Sequence, residues 1–223
     1  MRYKIGIDEV GRGCLAGPIT VTALAIPEDF DFRIFDFDLG IHSPEIDSSL
    51  KHVNAKPVLR DSKKLSPKQR HEWSLRIKDA PEIMYVTKNI KPSVIDEINI
   101  AQAANLAAHR ALKALIANYS LPIANCDIYL DGGLYIKNRR YQEANFQNAQ
   151  TIVKGDELIQ VVSLASIVAK VHRDSKMKKM SKIYPQYGFH IHKGYATKMH
   201  RTAIRKHGIS EFHRLSFLKK VLN

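Results

Sequence analysis

Tyr3-Lys4-Ile5-Gly6-Ile7-Asp8-Glu9-Val10-Gly11-Arg12-Gly13-Cys14-Leu15-Ala16-Gly17-Pro18 runs directly into Ile19-Thr20-Val21-Thr22-Ala23-Leu24-Ala25-Ile26. Tyr3 to Ile7 and Ile19 to Ile26 are β-branched and apolar, so both read as strands. Between them lies a glycine-punctuated turn. It starts with two adjacent carboxylates, Asp8 and Glu9, set at the end of an apolar strand. Such a pair is costly to hold there unless something neutralises it.

Further along the chain, Ser66-Pro67-Lys68-Gln69 predicts a helix start. Ser66 is the N-cap, Pro67 the first helical residue, and Gln69 closes a capping box, with the helix running to about Lys78. Ile83 to Thr87 reads as a strand. From Ser93, apolar residues such as Ile95, Ile98, Leu106 and Leu112 fall on one helical face and predict a single helix to about Asn118. Asp127 to Leu130 is a short strand that delivers Asp131-Gly132-Gly133, and Thr151 to Lys154 is another that ends at Gly155-Asp156. Glu157 to Met180 predicts one long helix, apolar first and basic later. Ala196 to His207 is a further helix with Gly208 as its C-cap, and Leu215 to Leu222 a terminal one. Pro27 to Val58 alternates Phe with Asp near its start and reads as a hairpin extension or a loop. Consecutive strands, then strands alternating with helices, predict an α/β fold with a mixed sheet covered by helices.

The 223 residues allow one large domain or two small ones, and a 44% hydrophobic content is enough to bury a core. Lys and Arg exceed Asp and Glu by 35 to 22, a net charge of +13. The charge is unevenly spread: residues 28–49 hold seven acids against Arg33, a net of −6, whereas residues 170–223 hold fourteen bases against two acids, a net of +12. A basic segment of that kind suits a polyanion such as nucleic acid, although a solvated helix surface has the same composition. Two cysteines, Cys14 and Cys126, exclude a disulfide framework or a Cys-based zinc module. There is no apolar run long enough for a transmembrane helix. A strand beginning at Tyr3 leaves no room for a signal peptide. The expectation is a soluble, cytoplasmic protein.

Asp8-Glu9, Asp131 and Asp156 each follow an apolar strand, so one cleft could gather four carboxylates. That set suits hard divalent cations, Mg²⁺ or Mn²⁺, rather than zinc. Beside a basic surface it suggests metal-assisted phosphodiester hydrolysis. Taken singly, Asp131-Gly132-Gly133 and Gly155-Asp156 also read as ordinary turns.

The stretch Ile5 to Pro18 resembles the opening signature of ribonuclease HII, the type 2 ribonuclease H family. Arg60-Asp61-Ser62-Lys63-Lys64-Leu65-Ser66, Asp131-Gly132, Lys154-Gly155-Asp156, Ser163 to Asp174, and the tail from Tyr184 to Phe217 match in the same order. The resemblance implies a ribonuclease H-like fold: a mixed five-stranded sheet flanked by helices, followed by a C-terminal helical segment. It implies a single domain over 1–223, with a catalytic core to about residue 180 and a substrate-binding part from about 181. The implied activity is endonucleolytic cleavage of RNA in RNA–DNA hybrids, and 5′ of ribonucleotides embedded in duplex DNA, by two-metal catalysis with Mn²⁺ or Mg²⁺. Asp8, Glu9, Asp131 and Asp156 would be the catalytic, metal-binding residues. Gly11, Arg12 and Gly13 would read the ribose 2′-hydroxyl, Tyr195 would pack on the adjoining sugar, and Lys63 would contact phosphate. A monomer is expected.

Other residues carry weaker signals. Asp174 suits an ion pair, and His190, His192 and His200 suit backbone or phosphate contacts better than a metal. Ser163 and Ser166 suit close helix packing. Two rival readings keep the fold: a nucleic-acid-binding protein without hydrolysis, and another metal-dependent nuclease. Four acids near a polyanion argue against the first; Gly11-Arg12-Gly13 and Tyr195 argue against the second.

Overall fold

The computed structural model describes residues 1–35, 65–136, 146 and 148–222. Lys63, Lys64 and most of the acidic segment lie outside them. The five strands are β1 (Tyr3–Val10), β2 (Ile19–Pro27), β3 (Met84–Ile90), β4 (Cys126–Asp131) and β5 (Ala149–Ile152). They form one sheet in the order β3-β2-β1-β4-β5. β2 is antiparallel to both β1 and β3, whereas β1, β4 and β5 run parallel. The sheet is therefore mixed, as expected.

Helices cover both faces. They are α1 (Pro67–Asp79), α2 (Pro92–Ile98), α3 (Ile100–Tyr119), α4 (Gly155–Leu158), α5 (Gln160–Ile183), α6 (Phe189–His192), α7 (Lys198–His207) and α8 (Leu215–Leu222). Ile5, Ile7, Val21 and Ala23 point to one face, where α3 lies against them with Ala103, Ala104, Ala107, Ala108 and Ala111. Small side chains let that helix approach closely. Leu24 and Ile26 point to the other face, against Val161, Val162, Leu164 and Ala165 of α5 and Trp73 and Ile77 of α1. Each large aliphatic side chain buried in these layers contributes about 1.5–3 kcal/mol.

On the α5 face β1 carries Gly6. A Cβ there would collide with the Val161 carbonyl and stand 2.5 Å from the Val162 nitrogen. The start of α5 thus rests directly on the centre of β1. Asp8, two residues later on the same face, is consequently brought under the next turns of that helix.

Several boundaries differ from the sequence expectation. The helix expected from Ser93 to Asn118 is two helices that meet at Asn99, whose φ is 66° and whose side chain accepts from the Gln102 N–H at 3.0 Å. Asn offers the backbone a local partner and tolerates positive φ, so it breaks a helix that apolar spacing alone would continue. The helix expected from Glu157 is interrupted likewise: Ile159 is extended (φ −119°, ψ 112°), which separates α4 from α5. Of the Phe-Asp segment, Phe32–Phe35 forms a 3-10 turn. Phe35 packs on Trp73 with ring centroids 5.0 Å apart, so the segment's described part is neither a hairpin nor loose loop.

A third cluster joins the chain's two ends: Leu15 and Ala16 pack with Met177, Tyr187, Phe189, Ile204 and Phe212. Asp96 of α2 caps α8 across the chain, accepting from Leu215 N–H at 2.8 Å and Ser216 N–H at 2.9 Å. Asp96→Ala should therefore cost about 1 kcal/mol, a fall in Tm of about 2–4 °C for a domain of this size. An unchanged melting curve would show that α8 docks without this cap.

Candidate active site

Parallel strands deliver their carboxyl ends to the same edge of a sheet, and that edge is where such sheets bind ligands. β1 and β4 pair in parallel with Ile7 opposite Leu130, so the next residues, Asp8 and Asp131, emerge side by side. Asp8 and Glu9 lie within β1, not after it as the sequence suggested. Carboxylate oxygens of Asp8, Glu9 and Asp131 all lie within 4.8 Å of one another.

Asp156 does not end a strand. It is buried in the first turn of α4, after a left-handed Lys154 (φ 58°) that reverses the chain. The preceding residue ties that turn to the cluster, because the Gly155 N–H donates to Asp131 Oδ1 at 2.8 Å. Three of the four predicted carboxylates thus meet directly; Asp156 is not among them and does not line their cleft, and it is the backbone of its neighbour Gly155 that reaches Asp131.

Burial pushes the Asp8 carboxyl well above its ordinary value, the Glu9 charge pushes it further, and Asp131 adds to both. A hydrogen bond from Ser166 of α5 partly offsets this, as does one from the Glu9 N–H at 2.7 Å. Burial also raises Glu9, while Arg12 opposes the shift. Arg12 donates through Nε to Glu9 Oε1 at 2.9 Å and through Nη2 to the Gly133 carbonyl at 3.2 Å. Glu9 Oε2 is buried without a hydrogen-bond partner among the described residues. Crowded carboxylates with an unfilled buried oxygen fit a hard divalent cation, whose charge would oppose the upward shifts of Asp8 and Glu9.

The cluster floors a cleft of about 270 Å³ whose rim includes Gly13, Lys170 and Tyr195. Tyr195 is 42% exposed. Burial of its hydroxyl side, together with the neighbouring Cys14 thiol, raises the phenol above its usual value. The glycines of the turn differ. Gly11 has φ 94°, and a Cβ there would strike the Arg173 guanidinium, whereas a Cβ on Gly13 would meet nothing within 4 Å. Both glycines line the cleft, but only at Gly13 is there room for an added Cβ.

Asp174 pairs with Lys170 at 2.9 Å. His192 and His200 stack 4.3 Å apart and bond the carbonyls of Tyr187 and Tyr195, while His190 meets Ser181. Burial lowers His200 to about 4, so it is neutral at ordinary pH. Cys14 is buried against the Lys193 carbonyl. Ser166, expected only to permit packing, hydrogen-bonds Asp8. Sequence reasoning gave Arg214 no role beyond its place in the matching tail. Ser166, Lys170 and Arg173 recur at helical spacing on one face of α5, and that periodicity was the available signal.

The sequence matches the family model described as Ribonuclease HII over residues 5–38 and 47–220. The ribonuclease HII of Treponema denticola is 38% identical over 224 residues, covering 97% of this chain and 98% of that protein. That of Endomicrobium trichonymphae is 39% identical over 212 residues, 95% and 83% of the two chains. Among solved structures, ribonuclease H2 from Pyrococcus horikoshii has a TM-score of 0.69 at 23% identity over 98% of this chain and 96% of its own. Bst ribonuclease HIII, solved in complex with Mn²⁺, has 0.69 at 19% identity over 99% of this chain and 69% of its own. These two share the fold, a mixed sheet between helices. On sequence and architecture together, the chain belongs to the ribonuclease HII family, a family of endoribonucleases.

Proposed function

We propose that this chain hydrolyses the RNA strand of RNA–DNA hybrids and cuts 5′ of single ribonucleotides embedded in duplex DNA, leaving 3′-hydroxyl and 5′-phosphate ends. The second activity would serve ribonucleotide excision repair. The observation that carries this reading is the Asp8-Glu9-Asp131 cluster, within 4.8 Å, with Asp8 buried and the other two half-buried, in a cleft also lined by Gly13 and Tyr195.

Asp8, Glu9, Asp131 and Asp156 would hold two divalent ions, Mg²⁺ or Mn²⁺. Bound there, such ions supply a water of lowered pKa and a Lewis acid for the leaving 3′-oxygen. The residues do the rest. Ser166 and the Glu9 N–H fix the Asp8 carboxylate. The Gly155 N–H fixes that of Asp131, and Arg12 fixes Glu9. Open backbone around Gly13 can approach a minor groove and bond a 2′-hydroxyl, the group that separates RNA from DNA. Tyr195 offers an aromatic face for a sugar beside the cut. The exposed Lys178, Lys182, Lys198 and Arg201 can bind phosphates along the duplex, and Lys63 is a further candidate. We read the whole chain as one catalytic domain acting as a cytoplasmic monomer.

The test is a duplex with one embedded ribonucleotide, an all-DNA duplex of the same sequence and an RNA–DNA hybrid, each with Mg²⁺ or Mn²⁺. A single cut 5′ of the ribonucleotide, cleavage of the hybrid and an intact all-DNA duplex are expected. Cutting of the all-DNA duplex, or no cutting with either metal, would overturn the reading.

A further inference from the structure

Arg173 and Arg214 are both 0% exposed. Among the described residues neither lies within 4 Å of a carboxylate. A buried guanidinium is expensive unless its donors are filled, and here backbone carbonyls reach every guanidinium nitrogen but Arg214 Nη2, which is buried with no partner among the described residues. Arg173 donates through Nε to Pro18 O at 3.2 Å, through Nη2 to Ala16 O at 3.2 Å and through Nη1 to Lys193 O at 2.8 Å. Arg214 donates through Nε to Gly17 O and through Nη1 to Arg12 O, both at 2.9 Å. Its backbone N–H takes Leu15 O at 2.8 Å. The turn meets the tail through a single β-bridge, Ala16 with His213, so the guanidinium groups supply donors that a full strand partner would otherwise give.

We propose that Arg173 and Arg214 are positioning residues for ribonucleotide recognition: together they lock the Gly11–Pro18 turn and the Lys193–Tyr195 turn into one frame. The inference deepens the proposed function and rests on it, since it concerns how ribose-reading backbone and Tyr195 keep a fixed spacing. Arg173 is the bridge, with two donors on the first turn and one on the second. Leu15 N–H to Gly194 O at 2.8 Å and Gly17 N–H to Phe212 O at 2.8 Å complete the seam. Glycines mark how closely the parts fit. A Cβ on Gly11 would collide with Arg173, one on Gly194 with the Ala16 carbonyl, and one on Gly17 would stand 2.7 Å from Met177 Sδ. Gly11, which lines the cleft with Gly13, thus also leaves room for the guanidinium beneath the turn.

Arg173→Lys and Arg214→Lys keep the charge and lose the fork. Binding of the ribonucleotide-containing duplex and of its all-DNA counterpart is measured with Ca²⁺ in place of Mg²⁺, beside a melting curve. The expected result is a fall in the affinity ratio of roughly 10- to 100-fold, the scale of a small misplacement in a preorganised site. All-DNA affinity should hold, because the exposed bases are untouched. A folded variant with an unchanged ratio overturns the proposal. Should neither variant fold, hydrogen exchange on the wild type decides. Amides of Leu15, Gly17 and Gly194 should open together, and independent opening overturns the frame. A wild type that shows no preference for the ribonucleotide duplex sinks the proposed function instead, and the exchange experiment still tests the frame.

Discussion

Asp8→Asn should lower the cleavage rate by at least about 10³-fold, because several kcal/mol of charge stabilisation at the phosphate depends on that carboxylate. Duplex affinity should change little, since the exposed bases that meet phosphate lie elsewhere. The same substitution should stabilise the metal-free protein at neutral pH. Burial, Glu9 and Asp131 hold the Asp8 carboxyl well above its ordinary value of 3.8. A group raised in the folded state contributes stability that is present below its unfolded pKa and is lost as pH rises through the folded one. In EDTA the wild-type Tm should therefore decline above about pH 4, and Asp8→Asn should flatten that decline. Glu9, raised in the same sense by burial, leaves part of the slope in place. Each kcal/mol recovered appears as about 2–4 °C. Saturating Mg²⁺ should raise the wild-type Tm more than that of the variant. Retained cleavage would remove Asp8 from the reaction, and an unaltered pH slope would remove the electrostatic crowding.

How much was legible follows from which interactions are local. Strand periodicity placed β1, β2 and β4, and with them Asp8, Glu9 and Asp131, since an apolar run ending in a carboxylate is readable over a few residues. The breaks at Asn99 and Ile159 were not readable, because the surrounding apolar spacing continues through both. Nor was the burial of Arg173 and Arg214. Both were counted in the +12 of the basic segment, yet neither reaches its surface, and all their carbonyl partners but Lys193 are more than 150 residues away. Carbonyls leave no trace in a sequence. Gly11 and Gly13 likewise looked equivalent in the text of the chain, and only the guanidinium beneath one of them separates their roles.

Gly6→Ala should be the most damaging of the small substitutions. Gly6 sits mid-strand, opposite Leu24 on one side and Tyr129 on the other, so β1 cannot yield without breaking two pairings. On the helix side the obstacle is the Val161 carbonyl and the Val162 nitrogen, which are backbone, so no side chain can swing away. The added methyl must push the first turn of α5 off the sheet, opening the layer that Val161, Val162 and Ala165 fill. A loss of about 3 kcal/mol or more is expected, with little soluble protein at growth temperature. Gly13→Ala is the control, with nothing within 4 Å of its added Cβ, and should stay within about 0.5 kcal/mol of wild type. Any Gly6→Ala protein that folds at low temperature should also cleave poorly. Ser166 rides on the helix that has moved, and the hydrogen bond that steadies Asp8 moves with it. Melting within 1 kcal/mol of wild type would show that strand and helix are not in direct contact, and would leave the placement of Asp8 beneath α5 without its cause.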